Sequence, residues 1–126
     1  MNETKAIMTI EVITVGRQTS ICEALEILLE NDITGMPVVD DDMTLVGIIT
    51  EKDMLKLLSV LENDSAVVED FMTKEVVSFD QEEDIIAICE CIIRNNFRRI
   101  PITSQGKLAG IISRKDIIKY IINPIG

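Results

Sequence analysis

The chain repeats itself once, and this repeat constrains its fold more than any other feature of the sequence. Two blocks match: 8–37 with 72–101 at an offset of 64 residues, and 47–53 with 110–116 at an offset of 63. The change of offset marks a one-residue deletion in the second copy, between Pro101 and Gly110. The chain is therefore predicted to consist of two copies of one structural unit, residues 1–63 and 64–126.

Each copy predicts the element order β-α-β-β-α. The predicted strands are 11–15, 35–39 and 45–49 in the first copy, and 75–79, 99–103 and 108–112 in the second. The predicted helices follow Thr19–Ser20 and Thr50 in the first copy, and Asp80–Asp84 and Ser113 in the second. The last two strands of each copy form a hairpin, which the first strand joins through a helical crossover. The fold class is α/β in the broad sense, an α+β arrangement.

The size of one copy favours a paired arrangement. A unit of about 60 residues buries little surface by itself. We therefore expect the two units to pack face to face about a pseudo-two-fold axis. Such packing would create two equivalent clefts, each lined by both copies.

The charge balance argues against whole classes of partner. Twelve basic and 22 acidic residues give a net charge of −10, which disfavours nucleic acid and anionic membranes. No apolar run approaches the roughly 20 residues that cross a bilayer, and the N-terminus lacks the pattern of a secretory signal. We therefore expect a cytoplasmic protein with no membrane partner. Residues 64–126 carry most of the basic charge, which is either ordinary surface charge or a site for a small anion.

No catalytic set is recognisable. The chain has no histidine, its hydroxyl groups have no evident base, and no glycine-rich phosphate loop precedes a helix. Three cysteines without paired spacing do not predict a metal site. The run Asp40–Asp42 lacks the distal ligands of a calcium loop and is interpreted as a solvated hairpin turn. We expect a protein that is not an enzyme.

The most informative motif is Gly-Ile-Ile-(Thr/Ser)-x-Lys-Asp, which occurs in both copies. Thr50 and Ser113 stand where a helix N-cap is expected, and an aspartate follows three residues later, as in a capping box. Helix capping alone would explain one occurrence. Its duplication beside a preceding x-Pro-hydrophobic strand favours a further role.

These residues carry a family resemblance. The matching segments are the Met-Thr pairs before each opening strand, Gly35–Asp40, Phe97–Ile102, and the two motif segments Gly47–Asp53 and Gly110–Asp116. The pattern resembles the CBS (cystathionine beta-synthase) domain, and the tandem resembles a stand-alone Bateman module. The resemblance extends from about Ala6 to Ile122.

The resemblance implies that an adenosine-containing nucleotide binds in the cleft between the two motifs. The family's ribose acceptor corresponds to Asp53 and Asp116, its ribose or phosphate contact to Thr50 and Ser113, its further phosphate contact to Lys52 and Lys115, and its adenine contact to Ile48 and Ile111. The implied lining of the clefts is Ile33, Thr34 and Met36 in the first copy, and Phe97, Arg98, Arg99 and Ile100 in the second. No cofactor is required.

Elementary chemistry agrees with these roles. A helix N-terminus favours an anion, a carboxylate can accept from both hydroxyls of a ribose, and arginine binds phosphate with two donors. Arg98 and Arg99 have no basic equivalents in the first copy, where Thr34 and Gly35 stand. We therefore expect AMP, ADP or ATP in preference to the cationic S-adenosylmethionine. S-adenosylmethionine or NAD stays an alternative ligand, as does a structural or protein-interaction module without nucleotide.

The resemblance also bears on assembly and signalling. It implies a regulatory module that changes conformation on binding ligand and acts on a separate, unidentified protein. Tandem CBS proteins commonly form flat four-motif homodimers through their helices. The isoleucine-rich segments 85–93 and 117–122 could supply such an apolar surface.

Overall fold

The computed structural model describes residues 3–59 and 65–124, with residues 58 and 59 described by their backbone alone. Two compact units are present. The first unit is Ile13–Val76, and the second unit combines Met1–Val12 with Val77–Gly126. Each unit therefore joins the body of one repeat to the opening segment of the other. The sequence repeats, 1–63 and 64–126, do not divide the chain at the same residues as the compact units.

The mixed helices and strands establish an α+β fold. In chain order the elements are α1 (Glu3–Ile7), α2 (Ile21–Asn31), β1 (Gly35–Val39), β2 (Leu45–Thr50), α3 (Glu51–Leu55), a 3₁₀ turn (Lys56–Ser59), α4 (Val68–Phe71), β3 (Phe79–Asp80), α5 (Ile85–Asn95), β4 (Arg99–Ser104), β5 (Lys107–Ser113) and α6 (Arg114–Ile122). The predicted hairpins and the helices after Ser20, Asp84 and Ser113 are confirmed, with strand boundaries within one or two residues. The helix expected after Thr50 was predicted too long, because it is α-helical only over Glu51–Leu55 and continues as the 3₁₀ turn. Leu61, at the end of the apolar pattern expected in the second helix of the first copy, lies outside the described residues. The short helices α1 and α4 were not predicted.

Each unit contains one small sheet. In the first unit β1 and β2 pair antiparallel from Gly35–Thr50 to Val39–Leu45. In the second unit β4 and β5 pair antiparallel, and β3 adds to β4 in parallel. In the first unit Val15 makes an isolated parallel bridge to Val38. This bridge corresponds to the pairing of β3 with β4 in the second unit. The two sheets thus repeat one topology.

Both long helices form for local reasons that the sequence shows. Ser20 caps α2 by accepting a hydrogen bond from the backbone N–H of Glu23, and Asp84 caps α5 by accepting one from Ile86, each at 3.1 Å. Both helices end at a residue in the left-handed conformation, Asp32 and Asn96, which short polar side chains tolerate. At these two residues the backbone turns from the helix towards the strand that follows it, β1 or β4.

The apolar faces of these helices cover the sheets. Ile21, Met36, Val38, Ile49 and Met54 belong to the buried cluster of the first unit. The cluster in the second unit is made of isoleucines, and its members are Ile85, Ile88, Ile92, Ile100, Ile102 and Ile112. Each unit therefore has its own aliphatic core. None of the helices within 3–59 and 65–124 is long and apolar enough to cross a membrane.

The hairpin turns explain the one-residue deletion. In the first unit Asp40–Asp42 lies in the turn between β1 and β2, which confirms the hairpin interpretation, and Met43 takes a φ of 71°. In the second unit Gln105 and Gly106 both have positive φ, 55° and 80°, as a two-residue hairpin turn requires. The shorter turn needs one residue fewer and leaves the flanking ladders unchanged.

The predicted opening strands were wrong over most of their length. In 11–15 only Val15 takes part in a bridge, and in 75–79 only Phe79 belongs to a strand. The upstream Met-Thr pairs explain this, because they bind the hairpin of the other repeat. Thr9 pairs with Ile111 through two backbone hydrogen bonds of 2.8 and 2.9 Å, and Thr73 pairs with Ile48 at 2.8 and 3.0 Å. Between that contact and the parallel bridge at Val15 or Phe79 the chain passes from one unit to the other, so only the last residue of each predicted strand joins a ladder.

The motif glycines make room for these exchanged segments. A Cβ on Gly47 would lie 2.7 Å from Met72 Sδ and 2.9 Å from the carbonyl oxygen of Thr73. A Cβ on Gly110 would lie 2.9 Å from Met8 Sδ and 2.8 Å from the carbonyl oxygen of Thr9. The glycine of each motif is therefore explained by close approach of backbone from the other repeat.

We expect Gly47→Ala and Gly110→Ala to destabilise the protein by about 1–3 kcal/mol each, because the added methyl group overlaps backbone that cannot move independently. Urea unfolding of the purified variants measures the loss. Gly16→Ala is the control, since its Cβ would meet its nearest atoms at 3.8 and 3.9 Å, an ordinary contact. Equal stability of all three variants would contradict the explanation.

Candidate functional site

In the second unit, Ser113 and Asp116 form a complete capping box at the start of α6. The Ser113 hydroxyl accepts a hydrogen bond from the backbone N–H of Asp116 at 3.2 Å. Asp116 Oδ2 in turn accepts from the backbone N–H of Ser113 at 2.9 Å and from its hydroxyl at 3.1 Å. The carboxylate is half-buried. The capping box thereby holds the carboxylate at the N-terminus of α6, where the helix dipole favours negative charge.

The first unit repeats this geometry at the start of α3. Thr50 accepts from the backbone N–H of Asp53 at 3.3 Å, and Asp53 Oδ2 accepts from the Thr50 N–H and hydroxyl, each at 3.0 Å. Both motifs are therefore helix caps. In each, one carboxylate oxygen is used by the cap, while Oδ1 keeps acceptor capacity for a ligand donor.

Loop residues predicted to contact the ligand lie at these same helix starts. The carbonyl oxygen of Arg98 accepts from the N–H of Arg114, the first residue of α6, at 3.2 Å. The carbonyl oxygen of Thr34 accepts from the N–H of Glu51, the first residue of α3, at 2.9 Å. Within each unit, the tertiary structure thus brings together the motif and the loop before the proline-containing strand, about 16 residues upstream.

The sheet register adds Arg99 to the second unit's group. Arg99 lies opposite Ser113 in the β4–β5 ladder, whereas Gly35 lies opposite Thr50 in the first unit. Arg98 is exposed, and Arg99 is half-buried. The backbones of Arg98 and Arg99 therefore lie beside the start of α6, where the first unit has Thr34 and Gly35 beside the start of α3.

The remaining predicted site residues differ in exposure. Lys52 and Lys115 are exposed on the first turn of α3 and α6, while Ile48 and Ile111 are half-buried and paired through their backbones to the exchanged segments. Ile33 and Phe97 are half-buried and pack against the two cores. Met36 and Ile100 are 1% and 0% exposed. The side chains of those last two pack within the cores and offer no exposed surface to a ligand.

A cavity beside Asp116 contains residues that the sequence analysis missed. It has a volume of about 410 Å³ and is lined by Ile7, Asp116, Lys119, Tyr120, Ile122 and Asn123. Asp116, Lys119, Tyr120 and Asn123 follow one another at the spacing of a single helix face, a signal that could have grouped them. The lining by Ile7 was not foreseeable, because it depends on the exchange of the N-terminal segment.

Tyr120 is held in this cavity by the N-terminal helix. Its hydroxyl donates a hydrogen bond of 2.8 Å to Glu3 Oε2. That hydrogen bond, with smaller contributions from burial and the negative charge of Glu3, raises the pKa of Tyr120 above its ordinary value. The contact joins α1 to α6 across 117 residues of sequence.

A second cavity, in the first unit, has a different character. It has a volume of about 690 Å³, and its lining includes the acidic turn Asp40–Asp42. Arg17 spans its edge, donating to both carboxylate oxygens of Asp40 at 2.9 and 3.0 Å and to Glu69 Oε2 at 3.2 Å. These two carboxylates raise the pKa of Arg17. The acidic turn is thus partly neutralised, and the described residues hold no cluster of three metal-ligating side chains.

The chain resembles known proteins over nearly its whole length. A model of the CBS domain family matches residues 5–60 and 68–123. The uncharacterized protein MJ1225 of Methanocaldococcus jannaschii is 34% identical over 117 residues, which cover 93% of this chain and 42% of that protein. The chain therefore spans less than half of MJ1225.

Solved structures agree with the sequence match. The crystal structure of CBSX2 in complex with AMP is 30% identical, with a TM-score of 0.85, and the alignment covers 94% of this chain and 95% of the crystallised chain. The CBS domain pair of MJ0100, in complex with 5′-methylthioadenosine and S-adenosyl-L-methionine, is 28% identical with a TM-score of 0.80, and 97% of each chain is covered.

We expect Glu3→Gln to lower the pKa of Tyr120 towards its ordinary value, because the substitution removes the charged acceptor. Tyr120 is the chain's one tyrosine and there is no tryptophan, so alkaline ultraviolet titration reports this phenol alone. Glu11→Gln changes the net charge equally and serves as the control.

The sign of the linked stability effect follows from the same contact. The folded state binds the phenolic proton more tightly, so the stabilisation is present below the ordinary pKa and is lost as pH rises through the raised one. Identical titration curves for wild type and Glu3→Gln would contradict the assignment.

Proposed function

Since the chain belongs to the CBS domain family, we propose that it is a non-catalytic regulatory module that binds adenosine-containing nucleotides. The duplicated capping box supports this proposal most directly. It fixes Asp53 and Asp116 at helix N-termini with an acceptor oxygen to spare, which suits the vicinal hydroxyls of a ribose. CBSX2, which was crystallised with AMP, and MJ0100, which was crystallised with two adenosine derivatives, add support. The expected location, a cleft between the two motifs, stays a prediction.

The choice of nucleotide depends on charge. Arg98, Arg99 and Lys115 stand at or near the start of α6, where the positive end of the helix dipole also attracts anions. A cationic sulfonium is disfavoured there, so we propose AMP, ADP or ATP as the ligand. The MJ0100 complex makes S-adenosylmethionine the specific second candidate.

The proposed mode of action is conformational. A ligand can transmit a signal only if it binds two arrangements of the protein with different affinity. The ligand would shift the two motifs, or two chains of a dimer, towards one arrangement that a separate regulated protein recognises. We propose that this takes place in the cytoplasm and without chemical conversion of the nucleotide. A protein-interaction module without nucleotide is the competing function.

We expect Asp116→Ala to weaken AMP binding by about 1–3 kcal/mol, because it removes the ribose acceptor. Isothermal calorimetry measures the affinity, and urea unfolding measures the loss of the cap. Asp84→Ala is the control, since Asp84 also caps a helix with its carboxylate, as the N-cap of α5, but lies outside the motif. It should cost about 0.5–2 kcal/mol of stability and leave AMP affinity unchanged.

Three outcomes of this experiment would count against the proposal. Unchanged AMP affinity in Asp116→Ala, with lowered stability, would leave capping as the whole explanation of the motif. Binding of S-adenosylmethionine while AMP, ADP and ATP all fail to bind would overturn the choice of nucleotide. Binding of none of these ligands, nor of NAD, would favour the interaction module.

We also propose that the chain forms a homodimer through the helices of the second unit. A groove of about 410 Å³ runs between α5 and α6, and its apolar lining includes Ile92, Ile93, Ile117 and Ile118. Ile93 and Ile118 are 79% and 55% exposed, which is unusual for large aliphatic side chains unless a partner covers them. Burial raises the pKa of Cys89 on the groove's wall, with Asp84 and Glu90 adding to the effect, so its thiol stays neutral.

We expect Ile93→Glu to convert the dimer to a monomer, because a charge would be placed at the centre of the apolar contact. Sedimentation velocity measures the oligomeric state. Ile10→Glu introduces the same charge at a side chain that is 71% exposed but outside the groove, and it should leave the dimer intact. A wild-type chain that sediments as a monomer, or a dimer that survives Ile93→Glu, would contradict this assignment.

A further inference from the structure

The N-terminal segment contributes a side chain to the motif of the second unit. Thr9 is held by its two backbone hydrogen bonds to Ile111, two residues before Ser113. Gly110 allows this approach, because any Cβ there would meet the Thr9 carbonyl oxygen at 2.8 Å. The sheet therefore fixes the backbone of Thr9 close to the motif, although Thr9 itself is exposed.

From this position the hydroxyl reaches both oxygens of the motif carboxylate. Thr9 Oγ1 donates to Asp116 Oδ1 at 3.3 Å and to Oδ2 at 3.4 Å. Oδ2 is already bound by the Ser113 N–H and hydroxyl. Among the described residues, Thr9 is the one hydrogen-bond donor to Oδ1. The hydroxyl proton is shared between the two carboxylate oxygens, and Oδ1 keeps capacity to accept from a ligand.

The described residues of the first unit show no equivalent of this contact. Thr73 pairs with Ile48 through the same two backbone hydrogen bonds as Thr9 with Ile111. Within the described residues, however, its hydroxyl makes no hydrogen bond to Asp53, whose carboxylate is bound by Thr50 alone. The two motifs therefore differ in how firmly the ribose acceptor is oriented.

We infer that Thr9 is a positioning residue for Asp116, which makes the second unit's motif the more selective one for a ligand with two vicinal hydroxyls. This inference rests on the proposed nucleotide binding and deepens it. The Thr9 hydroxyl orients Oδ1 towards a ribose diol before the ligand arrives, so less side-chain freedom is lost on binding. A nucleotide without the 2′-hydroxyl gains little from that orientation.

The test compares AMP with 2′-deoxy-AMP by isothermal calorimetry. Four proteins are titrated: wild type, Thr9→Val, Thr9→Ser and Thr73→Val. We expect Thr9→Val to weaken AMP binding about three- to tenfold and to change 2′-deoxy-AMP binding far less. Thr9→Ser, which keeps the hydroxyl, and Thr73→Val, the matched substitution in the first unit, should keep the wild-type ratio of the two affinities.

Each alternative outcome is decisive. Equal weakening of both nucleotides by Thr9→Val, or no weakening of either, would show that Thr9 acts only through the fold and would overturn the inference. A Thr73→Val variant that loses the same selectivity as Thr9→Val would overturn the assignment to the second unit. Failure of wild type to bind any of AMP, ADP, ATP, NAD and S-adenosylmethionine would overturn the proposed function itself, an outcome distinct from AMP binding whose selectivity Thr9→Val leaves unchanged.

Discussion

The opening segment of each repeat is bound by backbone hydrogen bonds to the hairpin of the other repeat, and the remaining architecture depends on this exchange. Thr9 occupies the edge of β5 at Ile111, and Thr73 occupies the edge of β2 at Ile48. Both contacts need a glycine at the neighbouring position of the hairpin, Gly110 or Gly47. The exchange covers an otherwise unpaired strand edge and divides the chain into its two units.

The same hairpin strands lead directly into the motif helices. β2 ends at Thr50 and β5 at Ser113, so the residue that ends each strand also caps the following helix. Capping consumes the serine or threonine hydroxyl and one oxygen of the aspartate, and it leaves the other oxygen available. Stability and ligand recognition therefore place compatible demands on one carboxylate. This is why the motif alone does not decide between a cap and a binding site.

The two units share a topology but not a chemistry. At the start of α6 the register brings Arg99 beside Ser113, where the first unit has Gly35 beside Thr50. Thr9 donates to Asp116, while Thr73 makes no such contact with Asp53 in the described part of the chain. Instead, the first unit has an ionic contact of its own, Arg17 with Asp40 and Glu69. Duplication has kept the backbone and allowed the side chains to diverge.

The sequence by itself determined the duplication, the hairpins, the long helices with their caps, and the two motif aspartates. These features depend on local periodicity and on residues three or four positions apart, which a single sequence displays. The tertiary structure decided which segments belong to which unit, and it overturned the opening strands at 11–15 and 75–79. It also showed that Met36 and Ile100 are core residues, and it brought Thr9, Ile7 and Glu3 to α6. Those contacts join residues about 100 positions apart, which no local pattern in the sequence relates. Thr9 in particular is held beside β5 by backbone hydrogen bonds, and such bonds do not depend on side-chain identity.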